Sequence, residues 1–132
     1  MNISVDTNVL IRAVLQDDPV QGKAAANLMS RASLIAISLP TLCEFVWVLL
    51  RGAKLSRPEV AQSIRDLLEA QNVSMNRTAV EAGLFVLEAG GDFADGVLAH
   101  EGHWLGGEEF LTFDAEAAQL LTRLGLRARV PS

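Results

Sequence analysis

The sequence lacks the features that mark secreted or membrane-spanning proteins. Its single cysteine, Cys43, excludes a disulfide within the chain and is expected to be a small core residue. The longest apolar run, residues 45–50, is much too short to cross a bilayer, and the N-terminus has no signal-peptide pattern. No low-complexity tract is present, and 50% of the 132 residues are hydrophobic. We therefore expect a folded cytoplasmic protein with a single domain, residues 1–132.

The chain also has no excess of basic residues. Its net charge is −5 at pH 7, from 11 Lys and Arg against 16 Asp and Glu. A protein that binds nucleic acid through charge alone normally presents a basic surface, so this balance argues against that class. The argument weakens if four of the acidic residues hold metal ions, because the remaining charge is then close to neutral.

Short β-rich runs alternate with stretches of helical spacing along the whole chain. The candidate strands are residues 3–5, 34–37, 72–75, 110–112 and 126–130. This alternation is typical of an α/β fold with a parallel sheet. Among the helix starts, Asp18–Pro19 has a cap followed by proline, and Ser56–Glu59 has the pattern of a capping box. The helix that follows Asp92 is expected to end near His100, before a glycine-rich loop at residues 101–107.

Aspartates stand at the ends of two candidate strands. Asp6 directly follows the first strand, and Asp114 follows the strand that contains Thr112. Ligands of parallel α/β sheets bind beyond the carboxyl ends of the strands, so both carboxylates are expected at one edge of the sheet. The simpler alternative is that each aspartate only caps the helix after it.

Two further carboxylates lie in helical stretches. Glu44 is the only charged residue between Ser38 and Arg51, in an otherwise apolar helix. If it is buried it needs a proton, a cation or a metal ion, and if it is exposed it needs no partner; the helix alone leaves both open. Asp92 is explained as a helix cap, whereas Asp95 lies in the first turn beyond the cap.

Four segments of the chain resemble the acidic motifs of the PIN-domain nucleases. They are residues 4–8, 42–47, 91–95 and 111–114. Their order and spacing, together with the length of the chain, are similar to the VapC-type toxins of bacterial toxin–antitoxin pairs. The resemblance implies a three-layer α/β fold, with a central parallel sheet of about five strands in the order 3-2-1-4-5 between helices. It also implies an acidic cluster at the carboxyl edge of that sheet.

The resemblance implies roles for individual residues as well. The acidic quartet of the family, which would be catalytic, corresponds to Asp6, Glu44, Asp95 and Asp114. The polar positions that would contact the substrate or hold those carboxylates are Thr7, Asn8, Asp92 and Thr112. The chain departs from the pattern at residues 101–107, where the family usually continues a helix of small apolar residues.

The chemistry expected of this set is metal-dependent hydrolysis of RNA phosphodiester bonds. Mg²⁺ and Mn²⁺ prefer oxygen ligands, so a carboxylate cluster without cysteine favours Mg²⁺, or Mn²⁺, over zinc. Asp6, Asp95 and Asp114 are the expected metal ligands, and Glu44 is either a ligand or the group that orients the attacking water. The choice of RNA, a cognate antitoxin and a homodimer follow from the resemblance alone.

Other classes of protein remain open on the sequence. His100 and His103 are spaced to share a zinc ion on one helix, although a glycine lies between them. Asp6 at a strand end is also compatible with a phosphotransfer or phosphatase domain, but that class has Asp where this chain has Asn8 and needs a strand-borne lysine. The apolar helix around Trp47 is typical of an interaction surface, which would suit a catalytically weak scaffold bound by an antitoxin.

Overall fold

The computed structural model of the protein describes residues 1–132. The chain forms two compact units, Met1–Asn76 and Arg77–Ser132. Both units contain helices and parallel strands, so the predicted α/β class is confirmed. That residues 1–132 act as a single domain stays a prediction. None of the helices combines the length and the apolar character needed to cross a membrane.

The first unit consists of three strands and four α-helices. Its strands are β1 (Asn2–Ser4), β2 (Leu34–Ala36) and β3 (Val73–Ser74). Its helices are α1 (Thr7–Leu15), α2 (Pro19–Arg31), α3 (Leu39–Trp47) and α4 (Arg57–Glu69), with a π-helical turn at Val48–Gly52 after α3. The strands pair in parallel in the order β1-β2-β3, and the register aligns Ile35 with Ile3 on one side and Val73 on the other.

Local hydrogen bonds define the helix starts that the sequence predicts in this unit. Asp18 caps α2 by accepting from two backbone N–H groups of its first turn, and Pro19 occupies the first helical position. Ser56 and Glu59 form a reciprocal capping box at the start of α4. The bonds from the Ser56 backbone and side chain lower the pKa of Glu59 below its ordinary value.

The core of the first unit is apolar and positions α1. Its most deeply buried side chains are Leu10, Ile35, Leu42, Phe45, Leu49, Val60 and Ile64. Burying side chains of this size stabilises the fold by roughly 1.5–3 kcal/mol each. Since α1 packs against both α2 and α3, its direction is fixed from two sides. The start of α1, immediately after Asp6, is therefore well defined.

The second unit pairs a helical hairpin with a short two-stranded sheet. Its elements are α5 (Arg77–Glu88), α6 (Phe93–Trp104), β4 (Phe110–Leu111), α7 (Ala115–Arg123) and β5 (Ala128–Arg129). The strands β4 and β5 are parallel, with Phe110 opposite Ala128. The buried side chains of this unit include Val80, Leu87, Phe93 and Leu121.

Two glycines let α5 and α6 approach closely. A Cβ atom added at Gly83 would lie 2.8 Å from ring atoms of Phe93, and one added at Gly96 would lie 2.6 Å from the carbonyl oxygen of Ala82. Both distances are shorter than protein Cβ atoms show, and Ala82 would oppose with rigid backbone. Glycine is therefore required at both positions of this crossing, and Gly96 directly follows Asp95.

The predicted sheet of five strands in the order 3-2-1-4-5 is corrected by the structure. The strands form a three-stranded sheet, β1-β2-β3, and a two-stranded sheet, β4-β5. These neighbours agree with the two halves of the predicted order, but not with one continuous sheet. Three of the strands have only two residues each, so each offers few backbone groups for pairing, and short apolar runs do not specify their partners.

The predicted end of α6 is also wrong. The helix continues past His100 to Trp104 and includes Gly102, so the loop before β4 covers only residues 105–109. A Cβ at Gly102 would meet no atom within 4 Å, which shows that this glycine is not needed for close packing. Glycine costs a helix interior only about 1 kcal/mol relative to alanine. The helix is terminated instead by Gly106, which has a φ of 106° and donates its backbone N–H to the carbonyl oxygen of His103.

Candidate active site

Asp6 connects β1 to α1 and caps the helix. Its backbone is extended, at φ −90° and ψ 176°, and its Oδ1 accepts a 3.0 Å hydrogen bond from the backbone N–H of Val9. The side chain is exposed, and its second oxygen accepts no hydrogen bond from the protein. Capping uses one carboxylate oxygen and leaves the other available, so the cap and a ligand-binding role are compatible.

Thr7 and Asn8 are the first two residues of α1. Thr7 is half-buried and Asn8 is exposed, and neither side chain hydrogen-bonds to Asp6. The amide of Asn8 makes no hydrogen bond to any protein group, so its donors and its acceptor are both available. Asn8 therefore does not hold the neighbouring carboxylate, and its amide is open to solvent.

Glu44 lies on the exposed side of α3. Its helix neighbours Leu42 and Phe45, two residues before and one residue after it, are fully buried, whereas Trp47, one turn later, is 63% exposed. Of the two alternatives left open by the sequence, the structure has the exposed one. Glu44 therefore needs no buried counter-charge and can meet a substrate or a water molecule from solvent.

Two acidic residues of the second unit cap helices. Asp92 caps α6 through a 3.1 Å bond from the backbone N–H of Ala94, and Asp114 caps α7 through a 3.1 Å bond from that of Ala117. The backbone N–H of Asp114 in turn donates to Oγ1 of Thr112 at 3.1 Å. Thr112 thus fixes the backbone of the turn before Asp114 and does not bond to its carboxylate, so its predicted role stays a prediction.

Asp95 differs from these caps because it is half-buried and surrounded by acidic charge. Burial raises the pKa of its carboxyl group above the ordinary value of 3.8, and the negative charges of Asp92 and Asp114 raise it further. The three carboxylates therefore repel one another. A divalent cation would offset this repulsion, and a donor set made only of oxygen suits Mg²⁺ or Mn²⁺. Within neither unit, however, do three His, Cys, Asp or Glu residues form a metal-holding group on their own.

The two histidines of α6 do not form part of such a group either. His100 and His103 lie one turn apart, and the His100 ring lies beside that of Trp104, with 6.4 Å between ring centroids. The Nε2 atom of His100 is buried without a hydrogen-bond partner. Zinc in proteins needs at least three such ligands, so the second unit gives no support to the zinc alternative.

A cavity that the sequence did not predict lies next to Asp6, between α1 and α2. Its volume is about 350 Å³, and it is lined by Asp6, Asn8, Val9, Arg12, Gln21, Ala24, Ala25 and Leu28. Asn8 and Arg12 are four residues apart and share a face of α1, which is the one signal that the sequence contains. The other wall comes from α2, and no sequence pattern shows how the two helices pack.

Comparison with known protein families identifies the class. Residues 3–121 match the PIN domain, and that range includes all four acidic positions of the predicted quartet. The chain belongs to the PIN-domain family. PIN domains are generally metal-dependent nucleases that act on RNA or DNA, which favours nuclease chemistry over the phosphotransfer alternative. No curated protein sequence matches the chain.

Proposed function

We propose that the protein is a metal-dependent endoribonuclease of the VapC type, the toxin of a toxin–antitoxin pair, and that it acts in the cytoplasm as a single domain. The observation that carries the proposal is the PIN-domain match, which spans Asp6, Glu44, Asp95 and Asp114. The resemblance to VapC-type toxins in length and motif spacing supports the choice of RNA over DNA.

In this proposal Asp6, Asp95 and Asp114 hold Mg²⁺, with Mn²⁺ as a possible substitute. A divalent ion held by these residues would lower the pKa of a coordinated water and offset negative charge on the scissile phosphate. Asp6 and Asp114 each present one uncommitted oxygen, because the other accepts a backbone N–H at a helix start. These bonds hold both carboxylates in a fixed orientation without the metal, which reduces the entropy lost on binding.

The remaining polar residues contact the substrate or hold the carboxylates. Glu44, exposed on α3, orients the attacking water, and Thr112 fixes the turn at Asp114. The backbone N–H groups of Thr7 and Asn8 at the start of α1 favour a negatively charged group, as helix N-termini do. The Asn8 amide is free to donate to a phosphate oxygen or to a base.

Asp92 raises the energy of the metal-free site. Its charge contributes to the raised pKa of Asp95, and so favours a proton or a cation among the three carboxylates. A site that repels itself without metal gains more from cation binding than an isolated carboxylate does. This is the physical reason to expect metal dependence in this chain.

A protein partner is part of the proposal. Trp47 is 63% exposed on α3, although the rest of that helix supplies much of the first unit's core. A large aromatic side chain left in solvent is typical of a binding surface, and the VapC resemblance suggests a cognate antitoxin and a homodimer. If the chain binds an antitoxin but cleaves nothing, the scaffold alternative is the correct one.

The test is cleavage of single-stranded RNA by the purified chain with Mg²⁺ or Mn²⁺, with single-stranded DNA of the same sequence in parallel. We expect RNA cleavage that Asp6→Asn abolishes. Glu69→Gln, which removes an exposed carboxylate at the end of α4, is the matched control and should cleave as the unmodified chain does. Equal cleavage by Asp6→Asn, or none by the unmodified chain with either metal, would refute the proposal.

A further inference from the structure

The cavity beside Asp6 has the size and position of a binding site rather than of a packing defect. At about 350 Å³ it falls within the range of small-ligand pockets, roughly 300–1,000 Å³. It lies between α1 and α2, entirely within the first unit, and Asp6 forms part of its wall. We propose that this cavity binds one unpaired nucleobase of the RNA strand, next to the bond that is cut; this rests on the proposed nuclease function.

The apolar part of the cavity suits the flat face of a base. Val9, Ala24, Ala25 and Leu28 line it, and the two alanines leave room that larger side chains would fill. Single-stranded RNA is recognised mainly through unstacked bases that insert between apolar, aromatic or guanidinium surfaces. A phosphate would gain nothing from these four side chains, whereas a base loses unfavourable contact with water.

Arg12 is held in a way that suits stacking rather than phosphate binding. Its Nε donates to Oε1 of Gln21 at 2.8 Å, and its Nη1 donates to both carboxylate oxygens of Asp17 at 3.2 and 3.3 Å. Asp17 therefore balances its charge, and the two partners fix the guanidinium plane. A fixed, neutralised guanidinium offers a flat surface on which a base can stack.

Two amides supply the hydrogen bonds that distinguish one base from another. The Oε1 atom of Gln21 is occupied by Arg12, so Gln21 presents its NH₂ group. Asn8 has both its NH₂ group and its carbonyl oxygen available. An Asn or Gln amide pairs most characteristically with the adjacent donor and acceptor of adenine. We expect adenine to be preferred at this position of the substrate.

The test is an NMR titration of the isotope-labelled chain with AMP, CMP, GMP and UMP at millimolar concentrations, without metal so that the phosphate group has no bound cation to coordinate. AMP should give the largest shifts, at the backbone amides of Asn8, Gln21 and Ala24. Because an amide paired with both the donor and the acceptor of adenine discriminates against the other bases, AMP should bind at least about fivefold more tightly than the weakest nucleotide.

Two leucine variants of the same helix, α2, provide a matched pair, one inside the cavity and one outside it. Ala24→Leu fills the cavity and should weaken AMP binding at least about tenfold, whereas Ala26→Leu, exposed on α2 outside the cavity, should leave it unchanged. Gln21→Ala, which keeps the cavity open, should instead reduce the preference for AMP over the other nucleotides. Circular dichroism confirms that each variant is folded.

Binding and cleavage decide separate questions. Shifts absent from the cavity, equal affinity for all four nucleotides, or equal effects of the two leucine variants would overturn the base-binding assignment even if RNA is cleaved. Conversely, AMP binding that Ala24→Leu removes would support the assignment, and a chain that then cleaves no RNA would overturn only the nuclease.

Discussion

Asp6 in the first unit and Asp114 in the second occupy the same kind of turn. Each follows a short strand, caps the next helix, and accepts a backbone N–H three residues later, at 3.0 and 3.1 Å. They differ in their surroundings. Thr112 accepts a hydrogen bond from the backbone N–H of Asp114, whereas Ser4 makes no such bond before Asp6. The charge of Asp114 also contributes to the raised pKa of Asp95. In both turns the cap uses one carboxylate oxygen and leaves the other available, so capping does not exclude a ligand-binding role. The neighbouring charges then decide how strongly a cation would be favoured.

The largest expected effect comes from removing charge while keeping the cap. Asparagine caps helices as well as aspartate does, so Asp6→Asn and Asp114→Asn should preserve the fold and lower RNA cleavage at least about 100-fold. Cleavage rates and melting temperatures measured on the same samples check this. If either variant kept its activity, the two turns would not have equivalent roles.

The second expected effect is stabilisation by metal. When the Mg²⁺ concentration is about 100 times the dissociation constant of the site, binding adds about 2.7 kcal/mol to the free energy of unfolding. The melting temperature should then rise by about 5–10 °C. Asp114→Asn should remove most of this rise, and Glu69→Gln should keep it. An equal rise in both variants would mean that the ion binds elsewhere.

A smaller effect comes from removing the cap itself. Asp6→Ala and Asp114→Ala should each lower the free energy of unfolding by about 1 kcal/mol relative to the asparagine variants. Denaturant unfolding of the four variants without metal measures the difference. Because Thr112 still braces the turn after the substitution at Asp114, we expect the loss there to be the smaller of the two.

The smallest expected effect concerns Asp95 and has a definite dependence on pH. Its pKa is raised in the folded state, so ionising it costs stability as the pH rises through that pKa. Without metal, Asp95→Asn should melt about 1–4 °C above the unmodified chain at pH 7, where the half-exposed site is partly screened by solvent. At pH values below 3.8, the ordinary pKa of this carboxyl group, the difference in melting temperature should disappear. A variant that is less stable at pH 7 would show that the carboxylate is favourably paired.

Local chemistry explains which features the sequence could predict. The caps at Asp18 and Asp92 and the capping box at Ser56 depend on residues within one helical turn, and the structure has all of them. The α/β class follows from the alternation of strand and helix patterns along the chain. These are properties of neighbouring residues, so a sequence pattern contains them.

Features that depend on distant residues were predicted poorly. The end of α6 was placed too early because Gly102 suggested a stop, whereas the glycine that ends the helix is Gly106, with a φ of 106°. The sheet was predicted as continuous because two-residue strands do not specify their neighbours. Arg12 and Gln21 meet only because α1 packs on α2, so the cavity they line was not predictable.

The crossing at Gly83 and Gly96 makes the geometry near Asp95 depend on residues that have no side chain. Even a single methyl group there would wedge the two helices apart and shift the adjacent carboxylate. In a saturation mutagenesis survey scored by the proposed nuclease activity, both positions should tolerate replacement as poorly as the acidic residues themselves. Their intolerance would reflect helix spacing rather than chemistry. A smaller side chain at Phe93 should not rescue a Gly83 variant, because the added Cβ would also lie 2.9 Å from the backbone oxygen of Phe93.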